Sequence, residues 1–496
     1  MADIKILDFA KNVEQNRQSL IKHCKDNGKE ADNNLSLSQI VNINNTINQE
    51  QQGFEGRWID IDGTILKTEY VQDGGSFTPP PTPSFDSEYL EFVEWVSARD
   101  YMDVHSDIDM GANYRSKLDE NGRRNTYLFC AFDSISGLNP TLNLSQLSSG
   151  STTYVDWGDG TTNEYTGFTS RTATHTYANE GQYVIKIWCN GQYWLRGGSS
   201  SGILGSSTLN KALIRLYLGE NYNKIEHSFL YNGSNIQVLN IPNDVQSTIF
   251  PQLFAYSCYY INTIIIPNNF TRQQLGSAGS QGIANGCYGL KYLILPNTIT
   301  SINMGLCSGC GRIEQVVLPK SILDYRSESG FSSCYNLKKV VLPDYFQSVD
   351  SYMFYNCYKL STVTLPNTIT DINSSAFGSS GLNTIVIPNV NTSIKSAFNG
   401  CYNLSNIVLP VGYNSTAILN LGNYQLSKDS LINIAKSIKD NSETEKINTI
   451  TFSERAKKMF TTTYLDEQGN EVAYATEGAI SLLQFITNKN WTVTFA

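Results

Sequence analysis

The residues with chemistry to offer in this 496-residue chain are ten cysteines, four histidines and a pair of aspartates in a glycine-rich turn. Cys258, Cys287, Cys310, Cys334, Cys357 and Cys401 recur once per twenty-odd residues rather than in close pairs. No CxxC…CxxC arrangement is built, and Cys307 with Cys310 is a lone CxxC, so zinc is not expected. If successive repeats stack, these thiols stand roughly 5 Å apart at Cα, within disulfide reach. The reading preferred is free, buried thiols acting as small hydrophobes. Serine at one rung is then expected to cost about 1–3 kcal/mol, as a buried hydroxyl without a partner. His23, His105, His175 and His227 fall in four different segments, which gives a Ser-His-Asp set no local support. There is no HExxH and no phosphate-binding glycine loop, and no carboxylate pair stands out for glycoside hydrolysis. Asp156 and Asp159 offer oxygen ligands of the calcium type, but Asp-Gly reverses a chain without metal, and that reading is preferred. His175 is read as structural. Neither enzymatic activity nor a cofactor or metal is expected.

A second spacing points to recognition. Directly after the ladder cysteines come Tyr259, Tyr288, Tyr335, Tyr358 and Tyr402, with Gly311 and Ser380 as gaps. If the cysteine and the leucine three positions later both point inward, the tyrosine between them points outward. Stacked repeats then align these rings in a stripe, each offering a flat apolar face and a hydroxyl at modest entropic cost. Such rings suit a sugar or a protein epitope. The competing reading is that they shield neighbouring repeats from water.

The elements that must position these residues are repeats. Pro242, Pro267, Pro296, Pro319, Pro343, Pro366, Pro388 and Pro410 lie 25, 29, 23, 24, 23, 22 and 22 residues apart. Six residues before each of the last seven stands Ile261, Leu290, Ile313, Leu337, Leu360, Leu382 or Leu404. Aliphatics also stand three and one before, as in Val340 and Leu342 or Val363 and Leu365, which reads as a short strand with one buried face. Proline ends the strand, and an apolar residue such as Ile299, Ile322 or Ile369 turns the chain inward again. Gly233 and Ser379 stand where the cysteine is otherwise expected. One unit cannot bury such a face alone, whereas stacked units can. The order Phe354…Cys357…Leu360…Leu365-Pro366 resembles the BspA-like class of leucine-rich repeats, and the resemblance implies a solenoid serving as a scaffold for recognition.

The flanking segments read as further modules. Residues 4 to about 26 form an amphipathic pattern, with Ile6, Phe9, Val13, Leu20 and Ile21 on one side and Gly28 as its stop. A second short helix is expected from Leu35. This pair resembles N-terminal segments of phage tail and fibre proteins. Trp58 to Val71 reads as a hairpin turning at Asp62-Gly63. Together with the Pro79-Pro80-Pro81 run and Val104–Tyr114, it resembles the Listeria–Bacteroides (internalin B-type) repeat, a small β-grasp-like spacer. Trp157-Gly-Asp-Gly and His175-Thr-Tyr resemble the signature strands of polycystic kidney disease (PKD) domains, which implies an Ig-like β-sandwich. After the repeats, Ser427 caps a helix with Leu431, Ile434, Ala435 and Ile438 on one stripe. A strand to Phe452, helices near 453–460 and 477–488, and a last strand from Trp491 complete an α/β cap, needed to cover the last coil.

The expected fold is therefore mainly β and multidomain. It comprises an anchoring helical segment (1–52), a β-grasp-like repeat (56–118), a PKD-like sandwich (124–197), the solenoid (205–420) and the cap (421–496). A net charge of −9 and a pI near 5.1 give no nucleic-acid footprint. No apolar run reaches the roughly 18 residues that cross a membrane. The start, Met1-Ala2-Asp3-Ile4-Lys5, lacks the pattern of a secretory signal. These features lead to the expectation of a non-enzymatic phage virion protein assembled in the host cytoplasm, a fibre or tail-associated adhesin. Its helical segment would dock to other virion proteins and its solenoid would bind a host-surface glycan or protein, with homo-oligomerisation left open. A bacterial cell-surface adhesin, or a capsid decoration or head-fibre protein without receptor role, are the alternatives.

Overall fold

Each leucine or isoleucine six residues before a proline is fully buried in the solenoid, and the strand that follows it, present in every such coil but that of Leu360, is only three residues long. The structure, a computed structural model, describes residues 53–495. It leaves out 147–148, 168–169, 196–206, 224, 226–228, 231–234, 246–248, 251–253, 274–281, 303–305, 326–328, 395, 415–418, 422–424, 444–447 and 473–477. The expected N-terminal helices, with His23, and also His227 and Gly233, lie outside the described residues.

The chain divides into two units. Among the described residues the first comprises 53–57, 67–79 and 100–108. There Gly75 and Val104 bridge two loops, and Phe77 donates its amide to the Tyr101 carbonyl at 2.8 Å. The Phe77 ring is buried against Gly56, where any Cβ would collide with it at 2.7 Å.

The second unit holds everything else. Strands β1 (Phe54–Ile59) and β2 (Ile65–Val71) meet in it at the expected Asp62-Gly63 turn, closed by Asp60 N–H to Thr64 O at 2.8 Å. Strands β3 (Leu90–Ser97) and β4 (Ile108–Ser116) pair antiparallel. Next come β5 (Thr126–Phe132), β6 (Thr141–Gln146), β7 (Thr152–Asp156), β8 (Thr162–Thr166), β9 (Arg171–Thr174), β10 (Gly181–Cys189) and β11 (Tyr193–Leu195). After helix α1 (Ser207–Ala212) follow β12 (Leu213–Tyr217) and β13 (Val238–Asn240). They build a six-stranded sheet ordered β13-β12-β5-β10-β7-β8 and a three-stranded sheet ordered β11-β6-β9. In the first, β12 runs antiparallel to β5 but parallel to β13, so the sheet passes directly from the 124–197 segment into the solenoid.

Two parallel strand ladders run along the solenoid. One joins Thr263–Ile265 to Tyr292–Ile294, Gln315–Val317 to Lys339–Val341, and Thr384–Val386 to Asn406–Val408. The other joins two-residue strands such as Ser301–Ile302 and Asp324–Tyr325. The carbonyls of Pro267, Pro296, Pro319, Pro343, Pro366 and Pro410 each close a turn onto the amide three residues on, as in Ile299 to Pro296 at 3.3 Å and Ile369 to Pro366 at 3.1 Å. That turn is what drives the expected apolar residue back into the core. A hydroxyl one residue earlier ties it to the coil before: Thr298 Oγ1 to Phe270 O at 2.7 Å, Ser321 Oγ to Ile299 O at 2.6 Å.

The expected spacer role of the segments before residue 200 meets a correction within this unit. Strands β3 and β4 do not stand clear of the repeats; they lie on the outer side of the first strand ladder. Ile59 and Val96 share a buried cluster with Ile265, Tyr292 and Ile294. A Cβ at Gly111 would sit 2.8 Å from Ile294 and 2.9 Å from Ile265, so only glycine lets the sheet approach this closely. Asn262 Nδ2 donates to Asp62 O at 3.0 Å and Asn297 N to Ser97 O at 2.9 Å. The Asp86 carboxylate accepts from Tyr217 Oη at 2.6 Å and Arg215 Nη1 at 3.1 Å. Sequence alternation marks Val96 and Ile59 as buried but is silent on what buries them.

After the repeats, α2 (Lys428–Ser437) begins at Ser427, whose side chain accepts from Ser430 N, and Leu431, Ile434, Ala435 and Ile438 are buried as expected. Strand Asn448–Phe452 runs parallel between Leu419–Leu421 and Trp491–Phe495.

Candidate binding surface

The surface is built from the residue before each ladder position. Ser257, Gly286, Gly309, Ser333, Asn356, Ser379 and Gly400 all have positive φ, between 53° and 76°. This left-handed step swings the next side chain inward and the one after it outward. Small or hydrogen-bonding residues occupy the step because a bulky side chain there is strained.

The inward residue is the thiol, and it has a partner. Cys258 Sγ donates to Leu230 O at 2.9 Å, Cys287 Sγ to Ala255 O at 3.0 Å, and Cys310 Sγ to Ala284 O at 2.9 Å. Cys334 Sγ donates to Cys307 O at 3.1 Å, Cys357 Sγ to Phe331 O at 3.2 Å, and Cys401 Sγ to Phe377 O at 2.8 Å. Every rung is thus bonded to the backbone of the preceding coil, and all nine described cysteines are free thiols. The expected penalty for a hydroxyl without a partner does not apply at this position. Burial pushes the Cys310 thiol up to about 12 and those of Cys307 and Cys357 well above the ordinary range. These thiols are hydrogen-bond donors, not nucleophiles.

One register also needs correcting. Ser379 carries the left-handed step, so the residue in the ladder position of that coil is Ser380, which is buried with its Oγ 3.4 Å from Cys401 Sγ. Leu382 follows Ser380 by two residues rather than three. A Cβ on Gly381 would lie 2.2 Å from Tyr358 O, as one on Gly289 would lie 2.3 Å from Tyr259 O, so the two glycines are equivalent. No residue of this coil takes the tyrosine position. The gaps in the stripe are therefore Gly311, which lacks a side chain, and a deletion before Gly381, not Ser380.

The outward residues form the expected stripe. Tyr259, Tyr288, Tyr335, Tyr358 and Tyr402 are between 41% and 83% exposed. Tyr259 stacks on Tyr288 with centroids 5.6 Å apart and planes 7° apart, and Tyr335 stacks on Tyr358 at 5.4 Å and 9°. The same repeat governs the interior, where Phe331, Phe354, Phe377 and Phe398 stack at 5.3–5.7 Å. Tyr260 and Tyr352, which the spacing argument passed over, are exposed as well.

The other candidates serve locally. Asp159 accepts from Thr161 N, Thr161 Oγ1 and, at 2.8 Å, His175 Nε2; Asp156 accepts from Gly158 N. His175 lies flat on Trp157 at 4.9 Å, and Tyr177 Oη donates to the Trp157 carbonyl at 2.7 Å. His105 sits exposed beside Asp73 at 2.7 Å and Asp103 at 3.1 Å, and the Asp73 hydrogen bond leads the effects that raise its pKa. Among the described residues no group of three or more His, Cys, Asp or Glu side chains is arranged to hold a metal ion. No described helix is long and apolar enough to cross a membrane.

The model of the BspA type leucine rich repeat region matches residues 203–277, 280–405 and 382–466 in six copies, together more than half of the chain. Among solved structures, a leucine-rich repeat protein from Bacteroides ovatus is similar at 17% identity and TM-score 0.29, over 49% of this chain and 67% of that one. Another, from Eubacterium ventriosum, is similar at 24% identity and TM-score 0.28, over 36% of this chain, which spans about half (52%) of it. No curated protein matches the chain. The repeats, their thiol rungs and the family match agree: this chain belongs to the BspA-type leucine-rich repeat family.

Proposed function

We propose that the protein is a non-enzymatic adhesin whose solenoid presents the tyrosine stripe to a surface glycan or protein. The observation that carries this reading is the exposed, parallel stacking of Tyr259 on Tyr288 and of Tyr335 on Tyr358. Rings needed only to cover the core would lie against it, whereas these rest on each other and leave their edges and hydroxyls to solvent. On the first coils the outer side of the first strand ladder is taken by β3 and β4 around Ile265 and Ile294, while the tyrosines of the same coils, Tyr259 and Tyr288, stay exposed. Residues 58–66, 80–99 and 109–118 of the segment read as internalin B-type, with residues 124–197 read as PKD-like, act in this scheme as braces on the first coils. Support for the PKD-like reading is the Trp157–His175 stack joining its two signature strands.

Replacing Tyr335 and Tyr358 together by serine is expected to leave the melting temperature nearly unchanged and to weaken attachment to target cells at least tenfold. Attachment that survives in the folded double variant would overturn the reading. The virion setting expected from the sequence is tested separately, by mass spectrometry of purified phage particles against washed bacterial envelopes. Presence only in envelopes would favour the bacterial-surface adhesin.

A further inference from the structure

The stripe has a vacancy the size of one ring, and we infer that the gap at Gly311, between Tyr288 and Tyr335, is a binding slot for a single pyranose ring of a glycan. This rests on the proposed role of the stripe and names its ligand class. A Cβ placed on Gly311 would lie 3.7 Å from Tyr335 Cδ2 and 3.8 Å from Tyr288 Cδ1, in ordinary contact with both and touching nothing else within 4 Å. Those two distances put the facing edge atoms, Tyr288 Cδ1 and Tyr335 Cδ2, no more than about 7.5 Å apart across the one-coil gap. The intact pairs on either side show what the vacant place would hold: their rings stack at 5.6 Å and 5.4 Å, one per coil. A guest ring entering at Gly311 continues that series and joins two separate pairs into one column.

The surroundings favour a sugar over an aromatic side chain of a partner protein. Tyr288 and Tyr335 are about half exposed, so the slot is open at its rim. An aromatic anchor draws its affinity from a fully desolvated pocket, which this is not. A pyranose gains from apolar contact on both faces while keeping its hydroxyls hydrated. Polar groups stand at the base and rim. Asn336 Nδ2 donates to Gly311 O at 2.6 Å, exposed Arg312 follows directly, and Lys338 pairs with Glu314 at 3.0 Å on the same coils. A glycan chain lying along the stripe would place one ring in the slot and neighbouring rings over the flanking tyrosines.

The test is binding of the full chain to an array of purified polysaccharides and oligosaccharides, using Gly311→Tyr and Gly311→Ala. Gly311 has no left-handed backbone and only ordinary contacts at its Cβ, so both variants should fold, which melting temperature checks. Gly311→Tyr fills the slot from within while keeping every stripe tyrosine. It should lower affinity for the bound glycan at least tenfold, whereas Gly311→Ala should change it no more than twofold. Wild-type binding to no glycan, or equal binding by Gly311→Tyr, overturns the inference. If Tyr335→Ser with Tyr358→Ser abolishes cell attachment but Gly311→Tyr does not, the stripe stands and the slot falls. If Gly311→Tyr loses attachment that protease treatment of the cells also removes, the guest is a protein side chain and the sugar assignment is overturned.

Discussion

Ser380 Oγ lies 3.4 Å from Cys401 Sγ, the one place among the described rungs where a hydroxyl replaces a thiol in the ladder. Its presence shows that the rung position accepts oxygen, and the carbonyl facing each thiol explains why. Cys334→Ser keeps a donor opposite Cys307 O and should cost no more than about 1.5 kcal/mol. Cys334→Ala removes the donor from that buried carbonyl and leaves a small void, for a loss of about 2–3 kcal/mol. Urea unfolding midpoints of the two variants test the order; a serine variant less stable than the alanine one would refute it.

The same burial predicts weakness in alkali. The Cys310 thiol is raised to about 12 in the folded chain, above the ordinary value near 9. A group whose folded pKa is raised contributes its full stability below the unfolded pKa and loses it as pH climbs toward the folded one. Stability should therefore fall from about pH 9 toward pH 12, and Cys310→Ser should flatten that decline. A wild-type unfolding midpoint constant across this window would contradict the assignment.

Arg99 plays a part of which sequence alone gives no hint. The register Val317↔Val341 sets Leu318 O opposite Pro343, which has no N–H to give. Arg99 Nε donates there at 3.2 Å and its Nη2 reaches Leu342 O at 2.9 Å. Burial lowers the guanidinium pKa, and the nearby Asp344 opposes that shift. Arg99→Met should cost about 2–3 kcal/mol, and Arg99→Lys should restore only part because a single ammonium cannot span both carbonyls. Equal stability of Arg99→Lys and wild type in thermal unfolding would show that the fork is unnecessary.

The two gaps in the stripe should respond oppositely to a methyl group. Gly381→Ala drives a Cβ to 2.2 Å from Tyr358 O, a backbone atom with little room to retreat. Destabilisation of about 2–4 kcal/mol is expected. Gly311→Ala meets only ordinary contacts and should be neutral, or stabilising by about 0.4–1 kcal/mol through the unfolded chain. Calorimetric melting of the pair decides, and a shared sign would refute the distinction.

The solenoid was legible because its constraints are local and copied: Leu337, Val340, Leu342 and Pro343 repeat one buried strand and one turn. The outward tyrosines were legible for the same reason, since their direction follows from the cysteine beside them. Ser379 was misplaced because a deletion shifts a register that only φ reveals. The seat of β3 and β4 was not legible, since alternation in Phe92–Ser97 tells which face is buried and not by what. Arg99 escaped notice because its partners are backbone carbonyls more than two hundred residues away, which leave no mark on side-chain identity.

The antiparallel seam between β5 and β12 has one more consequence. Repeat arrays whose first coil is bare can concatenate, one copy stacking its open end on the next, into filaments that do not close. Here the backbone groups of Leu213 to Tyr217 are already committed on both sides, to β5 and to β13. Head-to-tail stacking of copies through this end is blocked. An ancestor of this chain could lengthen its solenoid at little structural cost only by duplicating a coil in the interior, which also duplicates a rung of the stripe.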